Sequence, residues 1–413
     1  MGRLNRYFER GTSVRRILYI QFTDPAVYPP IEHSSRLLAD RCWDVVLLGT
    51  DTFGNLQFEL PVHPRIRMKK LRFVKARWRQ KLQYFWFFLW ALCWTCVWRP
   101  QWIYASDPFS LPIVWCIRKL TKARVIYHEH DSPSLDENSS LLMRWVLSYR
   151  GPLGREAELC VLPQQARLIK FIETTCRTGP VYCVWNCPQR DEVKNLDSDR
   201  DTGLILYYHG SINSVRVPSQ LIVAATRLKG AVRLQIAGYE APGSVGYVRE
   251  LARLAAQNGV PELIEFFGTT PRRKELLRSA WKAHVGLSFM PKDSKDINEL
   301  HMVGASNKPF DCMACGMPLL VTDMRDWVST FVAPGYARAC DPDDPDSIET
   351  QLRWYLEHPD QRREMGEKCR DKIQKDWNYE TMFAPVLAHM EADKGSTDHC
   401  RIRAPMDIRG SLR

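Results

Sequence analysis

The start of the chain lacks the apolar segment that a secretion signal requires. Residues 1–16 are mostly polar, whereas a signal peptide carries a continuous apolar stretch behind its charged start. The 13 cysteines are odd in number and scattered along the chain, which suggests neither a disulfide framework nor a zinc site. Both absences favour a reducing, cytoplasmic location.

Acidic residues are missing from residues 65–99, where ten Lys and Arg residues occur. A uniformly basic block indicates an anionic partner, which can be nucleic acid, anionic lipid or an acidic substrate. The uncharged segment 82–98 is rich in Trp, Phe, Tyr and Leu, and Trp favours the headgroup layer of a bilayer. We therefore expect residues 65–98 to contact an anionic membrane surface, and we expect no nucleic acid partner.

The aromatic segment is too short to cross a bilayer comfortably. As a helix, residues 82–98 would span roughly 25 Å, against a hydrocarbon core of ~30 Å. We expect a crossover helix of a parallel α/β domain here, and a protein that lies on the inner face of the cell membrane. Burial in the domain is the alternative, but it does not explain the four-residue spacing of Trp86, Trp90, Trp94 and Trp98.

Strand and helix patterns alternate along the chain in two series. The first begins at residues 16–20 and the second at residues 204–208. A chain of this length can hold two cores, so the sequence predicts two Rossmann-like domains with parallel sheets that face a cleft. The boundaries that we assign are 1–188 for the first domain, 189–202 for a charged linker, 203–376 for the second domain and 394–413 for a disordered tail.

A helix–turn–strand unit is predicted at residues 306–323. Pro309 is tolerated in the first helical turn, and Gly316 fits a left-handed cap at the end of the helix. Lys308 lies just before the helix and Asp311 near its start, where an amine and free backbone N–H groups can meet a phosphate. An ordinary α/β crossover with surface charges is the alternative interpretation.

The spacing of this unit resembles the donor-site signature of the retaining glycosyltransferases of family 4, also called glycosyl transferases group 1. The positions that match in step are Ser306, Lys308, Phe310, Asp311, Met313, Ala314, Gly316 and Pro318. Asp311 replaces a commoner Glu, and Val303 stands where many members carry a second Glu. The resemblance covers nearly the whole chain. It implies the GT-B fold and transfer of a sugar from a nucleotide-sugar to an acceptor hydroxyl, with retention at the anomeric carbon.

The resemblance also assigns a donor site. Asp311 would accept hydrogen bonds from the ribose, and backbone near Phe267 and Gly268 would read the base. Gly210 permits close approach of the backbone to a ligand. Arg216 and Lys308 would neutralise the diphosphate, so neither a metal nor another cofactor is expected. A solvated Arg at a helix start is the alternative for Arg216.

A polar sequence follows the apolar strand at residues 124–127. Ligands bind open α/β sheets at the carboxyl ends of the strands. On an extended chain His128 and His130 share one side and Glu129 lies opposite, so two His without a third ligand make a weak metal site. His130 and Asp131 match a family motif whose His contacts the transferred sugar, and we assign both to catalysis. A His that satisfies loop backbone is the alternative.

Weaker candidates surround this core. Possible contacts to the sugar or the acceptor are Glu32, His33, Glu299 and His301. Glu32 and His33 follow two prolines, which remove backbone donors and argue against phosphate binding there; a solvated first helical turn explains them equally well. Residues 377–390 resemble the family's terminal helix, which crosses back to the first domain.

The expected function is glycosyl transfer in polysaccharide or glycolipid synthesis, with a saccharide or lipid-linked acceptor at the membrane surface. Two alternatives remain open. A nucleotide-sugar 2-epimerase shares the fold class, but it needs acid/base carboxylates in the cleft and would not explain the basic and aromatic block. A non-catalytic GT-B-fold binding or scaffold protein is allowed by Val303 and Ser211, which occupy positions often charged in active members.

Overall fold

The first part of the chain forms a seven-stranded parallel sheet. The computed structural model describes residues 15–51, 58–75, 78–135, 139–194, 203–241 and 243–392. The strands of this sheet are β1 (Arg15–Ile20), β2 (Trp43–Thr50), β3 (Ile66–Leu71), β4 (Trp102–Ala105), β5 (Arg124–His128), β6 (Leu159–Leu162) and β7 (Val181–Cys183). They pair in the order β3-β2-β1-β4-β5-β6-β7. The helices are α1 (Pro29–Asp40), α2 (Trp78–Trp98), α3 (Ser110–Leu120), α4 (Leu141–Ser148), α5 (Arg150–Glu156) and α6 (Gln165–Thr175).

The second part of the chain repeats this plan with a six-stranded parallel sheet. Its strands are β8 (Leu204–Ile212), β9 (Val232–Glu240), β10 (Ile264–Gly268), β11 (Val285–Ser288), β12 (Leu319–Thr322) and β13 (Ala337–Cys340), in the order β10-β9-β8-β11-β12-β13. The helices are α7 (Ser219–Thr226), α8 (Tyr247–Gln257), α9 (Arg273–Ser279), α10 (Ile297–Leu300), α11 (Lys308–Ala314), α12 (Arg325–Trp327), α13 (Pro345–Glu357), α14 (Pro359–Lys375) and α15 (Tyr379–Glu391).

Each sheet reverses its strand order at one point. The reversal lies between β1 and β4 in the first sheet and between β8 and β11 in the second. Open α/β sheets bind ligands outside the carboxyl ends of the strands at such a switch point. The predicted pair of Rossmann-like units with parallel sheets is thus confirmed, whereas the exact domain boundaries stay predictions. The tail 394–413 and residues 195–202 of the linker lie outside the described residues.

Helices cover both faces of the first sheet. Helices α2 to α6 pack on one face, and α1 and α15 pack on the other. Parallel strands buried on both faces need nearly continuous apolar sequence, as in Ile17–Ile20 of β1. The last helix returns to this sheet, and the Tyr379 hydroxyl donates a hydrogen bond to the Pro30 carbonyl at 3.2 Å.

Strand β3 was not predicted from the sequence. Its sequence is IRMKKL, and none of its residues is fully buried. It pairs only with β2, at the edge of the sheet. An edge strand with basic residues has a weak apolar signal, and such charges protect an exposed edge from pairing with another chain. The basic block therefore begins in a strand.

The tryptophans of α2 do not share one environment. Trp86 is exposed, whereas Trp90, Trp94 and Trp98 are half-buried and pack against the core. A four-residue step advances about 40° around a helix, so the row turns gradually from solvent towards the sheet. Burial therefore accounts for three of the four, and their spacing is not by itself evidence for a membrane. No helix in the described part of the chain is long and apolar enough to cross a bilayer.

Candidate active site

A cavity of about 200 Å³ lies where the two sheets face each other. Residues before and within α1 form one wall, including Ala26 and Glu32. The opposite wall comes from the carboxyl ends of β8 to β10 and from the start of α11. Of the residues that matter below, this wall holds His209, Gly210, Arg273, Asn307 and Lys308. The cavity thus occupies the switch point of the second sheet.

Contacts across the cleft keep the two halves close together. Arg272 donates to the Glu59 carboxylate at 2.7 and 2.9 Å, and Glu59 N–H donates to the Pro271 carbonyl at 3.0 Å. Asn298 accepts from Ser132 N–H at 2.7 Å and donates to its carbonyl at 3.0 Å. Drug-sized ligands usually occupy pockets of about 300–1,000 Å³. A large ligand would therefore need these contacts to open.

Two glycines bring Lys308 over the end of β8. Gly210 has a φ of +112°, and a Cβ there would lie 2.6 Å from Lys308 Cε. Gly238 on β9 has a φ of +147°, and a Cβ there would lie 1.9 Å from the Gly210 carbonyl oxygen. Burial, reinforced by the Arg216 charge, lowers the pKa of Lys308 to about 8. The amine is still largely protonated at pH 7, so it can bind an anion.

The carboxylate of Asp311 already has protein partners. Asp311 is buried, and Arg273 forms a two-point contact with it, through Nη1 at 3.0 Å and through Nη2. Asn307 Nδ2 donates to Oδ2 at 2.7 Å, and His209 Nε2 lies 3.4 Å from the same oxygen. Two carboxylate oxygens offer about four acceptor positions. Most of these are occupied, so the expected ribose contact stays a prediction.

Arg273 joins the buried carboxylate of Asp311 to the carboxylate of Glu192, whose side chain is 12% exposed. Its Nε lies 2.6 Å from Glu192 Oε1 and its Nη2 lies 3.2 Å from Glu192 Oε2, while its other contacts go to Asp311. His33 Nε2 of α1 lies 3.1 Å from Glu192 Oε2. Burial alone would raise the pKa of Glu192, but Arg273 and His33 hold it well below its usual range. Glu192 is therefore ionised at neutral pH and ties α1 to α9.

His209, one of the two buried histidines that contact this network, is neutral. Burial lowers the pKa of His209 to about 4, although the nearby Asp311 carboxylate opposes the shift. At pH 7 His209 therefore adds no charge to the site. Glu32 and Arg273 also line a second cavity of about 960 Å³, together with Asp191 and Lys194. The ion network forms part of the wall between the two cavities.

The predicted alternation after β5 is confirmed. The rings of His128 and His130 lie 3.9 Å apart, whereas Glu129 faces away and accepts from Arg150 at 2.7 and 2.8 Å. Tyr104 Oη lies 2.6 Å from His128 Nδ1. In the described part of the chain no three His, Cys, Asp or Glu residues form a metal-binding group.

His130 is neutral and half-buried. Burial and the charge of Arg167 lower the pKa of His130 to about 3, and its Nε2 has no hydrogen-bond partner among the described residues. Arg167 Nη2 donates to the His130 carbonyl at 2.6 Å and to Asp131 Oδ1 at 3.3 Å. His130 can thus exchange a hydrogen bond with a neutral group, although neither it nor Asp131 lines the small cavity.

The structure brings the candidates Arg216 and Glu299 together. Arg216 Nη1 donates to the Phe289 carbonyl at 3.1 Å, and its Nη2 lies 3.7 Å from Glu299 Oε1. Ser294 Oγ donates to Glu299 Oε2 at 2.6 Å. The charge of Arg216 contributes to the lowered pKa of Lys308.

The other candidates are dispersed. Glu32 lines the cavity, and burial raises its pKa. His33 is engaged with Glu192 as described, and His301 Nδ1 lies 3.7 Å from Asp326 Oδ2. Phe267 and Gly268 end β10 without lining the cavity, which the following Thr269 and Thr270 line instead. The structure therefore does not bring His301, Phe267 or Gly268 to the cavity.

The comparisons with known proteins agree with this architecture. Residues 218–388 match the model of a family described as glycosyl transferase-like. The chain is similar to sucrose-phosphate synthase from Thermosynechococcus elongatus, with 14% identity, 92% of this chain and 100% of that chain covered, and a TM-score of 0.69. The fold is GT-B.

Two further GT-B structures illustrate the same likeness. HepE from Anabaena, in complex with UDP, has 13% identity and a TM-score of 0.63, with 92% of this chain and 100% of that chain covered. A trehalose-phosphate synthase (UDP-forming) from Burkholderia vietnamiensis has 11% identity and a TM-score of 0.60, with 91% and 100% covered. No curated protein matches the sequence. Structural similarity at such low sequence identity establishes the GT-B fold, and the activity remains to be proposed.

Sequence reasoning missed several residues of the site. They are Glu192, His209, Arg273 and Asn307. His209 directly precedes Gly210 at the carboxyl end of a predicted strand, and the switch-point rule could have identified it. Arg273 offered no such signal, because its partners lie 81 and 38 residues away in sequence.

Proposed function

We propose that this GT-B protein is a retaining glycosyltransferase of family 4. It transfers a sugar from a nucleotide-sugar to an acceptor hydroxyl. The observation that carries the proposal is the approach of the Lys308 amine to the Gly210 backbone at the switch point of the second sheet. The glycosyl transferase-like match over residues 218–388 supports the same activity.

Lys308 and Arg216 supply the charge for the departing diphosphate. Positioned cations and backbone N–H groups stabilise charge that develops in a transition state, which is usually the largest catalytic contribution. Two cations can compensate a diphosphate, so the proposed transfer uses no metal. The solved HepE complexes with UDP and with UDP-glucose make uridine-based donors the first to test.

His130 and Asp131 are assigned to the sugar side of the reaction. His130 is uncharged at pH 7 because its pKa is about 3, so it can hydrogen-bond a sugar hydroxyl without repelling a positive anomeric centre. Asp131 is exposed beside it and can face the acceptor. Asp311 would hold the ribose after its protein partners rearrange. No residue is assigned as a covalent nucleophile.

The acceptor is proposed to be a saccharide or a lipid-linked hydroxyl. The reaction would serve polysaccharide or glycolipid synthesis on the inner face of the cell membrane. Exposed aromatic residues on α2 support this placement. Helix α2 packs on the first sheet. The same half of the chain also supplies Glu32, which lines one wall of the cavity.

A panel of nucleotide-sugars tests the proposal. We expect release of a nucleoside diphosphate, faster with an acceptor present, and a product whose anomeric configuration equals that of the donor by NMR. The Lys308→Ala variant should no longer release the nucleoside diphosphate. Inversion at C2 without release would identify an epimerase instead. Nucleotide binding with neither reaction across the panel would identify a non-catalytic protein, and an inverted product would refute retention.

A further inference from the structure

Helix α2 turns an apolar side towards solvent. Its buried residues are Tyr84, Phe87, Ala91 and Thr95. The opposite side carries the large exposed residues that we call the α2 face: Trp78, Leu82, Phe85, Trp86, Leu89 and Val97. Trp86 alone is 65% exposed. Proteins that stay monomeric in water rarely expose a continuous apolar row of this kind.

Helix α4 adds a second apolar patch on the same side of the first sheet. Leu141 is 85% exposed, and Trp145 is exposed as well, while Val146 is buried in the core cluster that also contains Phe87 of α2. Helix α3 contacts both α2 and α4. The two helices therefore cover one face of the sheet, and their outer sides point away from it together. We call Leu141 and Trp145 the α4 patch.

Exposed cations lie at the start of α2 and in the segment that precedes it. Arg79 and Lys81 lie in the first turns of α2, and Lys69 and Arg72 lie on β3 and directly after it; all four are exposed. Two other cations of the basic block are already paired, and Arg65 Nη1 lies 2.9 Å from Asp44 Oδ1. Lys70 Nζ lies 3.0 Å from Asp24 and 3.1 Å from Asp51. Only some of the ten basic residues are therefore available to contact an anionic partner.

We infer that the α2 face and the α4 patch together form a docking surface for an anionic lipid bilayer. Aromatic and aliphatic side chains flanked by Lys and Arg are the composition of helices that lie in the membrane interface, and Trp favours the headgroup layer. Nucleic acid would use the cations but not the apolar row. Helix α4 contributes the exposed apolar side chains of Leu141 and Trp145, and its Arg144 is exposed as well.

The α4 patch lies close in sequence to the proposed sugar site. Leu141 begins α4 eleven residues after His130, and Ser132 between them contacts Asn298 of the second half. The inference rests on the proposed function in one respect. A docked first sheet would present the cleft to an acceptor hydroxyl that is anchored in the bilayer.

Flotation with vesicles tests the docking surface without using activity. The probe is phosphatidylcholine vesicles with and without phosphatidylglycerol, at low and high salt. We expect binding only with the anionic lipid, and weaker binding as salt rises. Arg72→Gln, Arg79→Gln and Lys81→Gln should each weaken partitioning about fivefold, because a basic residue near such a surface contributes about 1 kcal/mol.

The apolar part has its own variants and matched controls. Phe85→Ser with Trp86→Ser should abolish flotation, and Leu141→Ser with Trp145→Ser should weaken it. Val245→Ser is the apolar control, because Val245 is 84% exposed in the second half of the chain. Arg249→Gln with Arg253→Gln is the charge control, since both residues are exposed on α8. Neither control should change binding.

Three results would overturn the inference. They are no binding of the unmodified protein to anionic vesicles at low salt, equal flotation of all variants and controls, and equal binding to neutral vesicles. A dimer that the Phe85→Ser and Trp86→Ser changes dissociate would show that a second copy covers the face instead. Release of nucleoside diphosphate in lipid-free buffer is measured in parallel, so that loss of docking and failure of the proposed function stay distinguishable.

Discussion

Removal of the Arg273 guanidinium should destabilise the protein strongly. In Arg273→Met the buried carboxylate of Asp311 and the largely buried carboxylate of Glu192 both lose their main partner. Breaking a buried ion pair from one side costs about 3–5 kcal/mol, because an uncompensated charge stays in the interior. We expect a loss in that range in urea unfolding followed by Trp fluorescence. Arg272→Met is the matched control; Arg272 and its partner Glu59 are exposed, so little change is expected.

The pH dependence of this loss provides a second check. In the unmodified protein the pKa of Glu192 is depressed, so its contribution to stability is present above its unfolded pKa and is lost as the pH falls through the folded value. Without Arg273, burial would act to raise that pKa, and only the contact with His33 would still oppose the shift. The ionised Glu192 carboxylate is then unfavourable in the folded variant, and a larger fraction of it is ionised at pH 8 than at pH 5. The variant should therefore lose more stability at pH 8 than at pH 5.

A compensating variant tests the same reasoning from the opposite direction. Arg273→Met combined with Glu192→Gln and Asp311→Asn removes the charges together. Replacing a whole buried ion group by neutral residues is often tolerated, so the triple variant should recover most of the lost stability. A loss below about 1 kcal/mol in Arg273→Met, the scale of an exposed pair, would refute the argument. An equal loss at pH 5 and pH 8 would do so as well.

The remaining predictions concern the diphosphate. Lys308→Ala should weaken binding of a nucleoside diphosphate by about 1.5–3 kcal/mol in calorimetry, the scale of a charged hydrogen bond; unchanged affinity in both Lys308→Ala and Arg216→Ala would remove the assignment. Because the pKa of free Lys308 is about 8, affinity should fall as the pH rises above 8, and a flat profile to pH 9.5 would contradict this. Gly210→Ala should weaken binding, since an alanine is strained at a φ of +112° and its Cβ, 2.6 Å from Lys308 Cε, would displace the end of that side chain; a variant that binds normally would show that the position of the Lys308 amine does not matter for binding. Activity should persist in excess chelator, and loss with rescue by manganese or magnesium would require a metal in the mechanism.

Local sequence determined much of the architecture. Apolar runs such as β1 and β12 indicated buried parallel strands, because such strands are covered on both faces. Residues 306–323 indicated a short helix closed by glycine, and Gly316 does take a φ of +73°. The alternation of His128, Glu129 and His130 followed from strand geometry alone. Each of these features depends on residues that are close together in the sequence.

Sequence patterns were less reliable for the elements that have one side in solvent. Strand β3 carries basic residues at the sheet edge, so its apolar pattern was too faint to identify it. The four tryptophans of α2 suggested one common face. The drift of about 40° per step sends Trp98 towards the core and leaves Trp86 exposed. The position of the sheet against α2 decides which of the four tryptophans are exposed and which pack against the core.

Tertiary structure alone decided the partners of the site. The sequence placed Asp311 and Lys308 at a helix start but gave no sign that Arg273 and Glu192 would join them. Arg273 lies on α9, 38 residues before Asp311, and Glu192 lies in the linker, 81 residues before Arg273. A buried carboxylate must be paired wherever it lies, but sequence cannot say by which cation. That choice is made when the two sheets and the linker pack together.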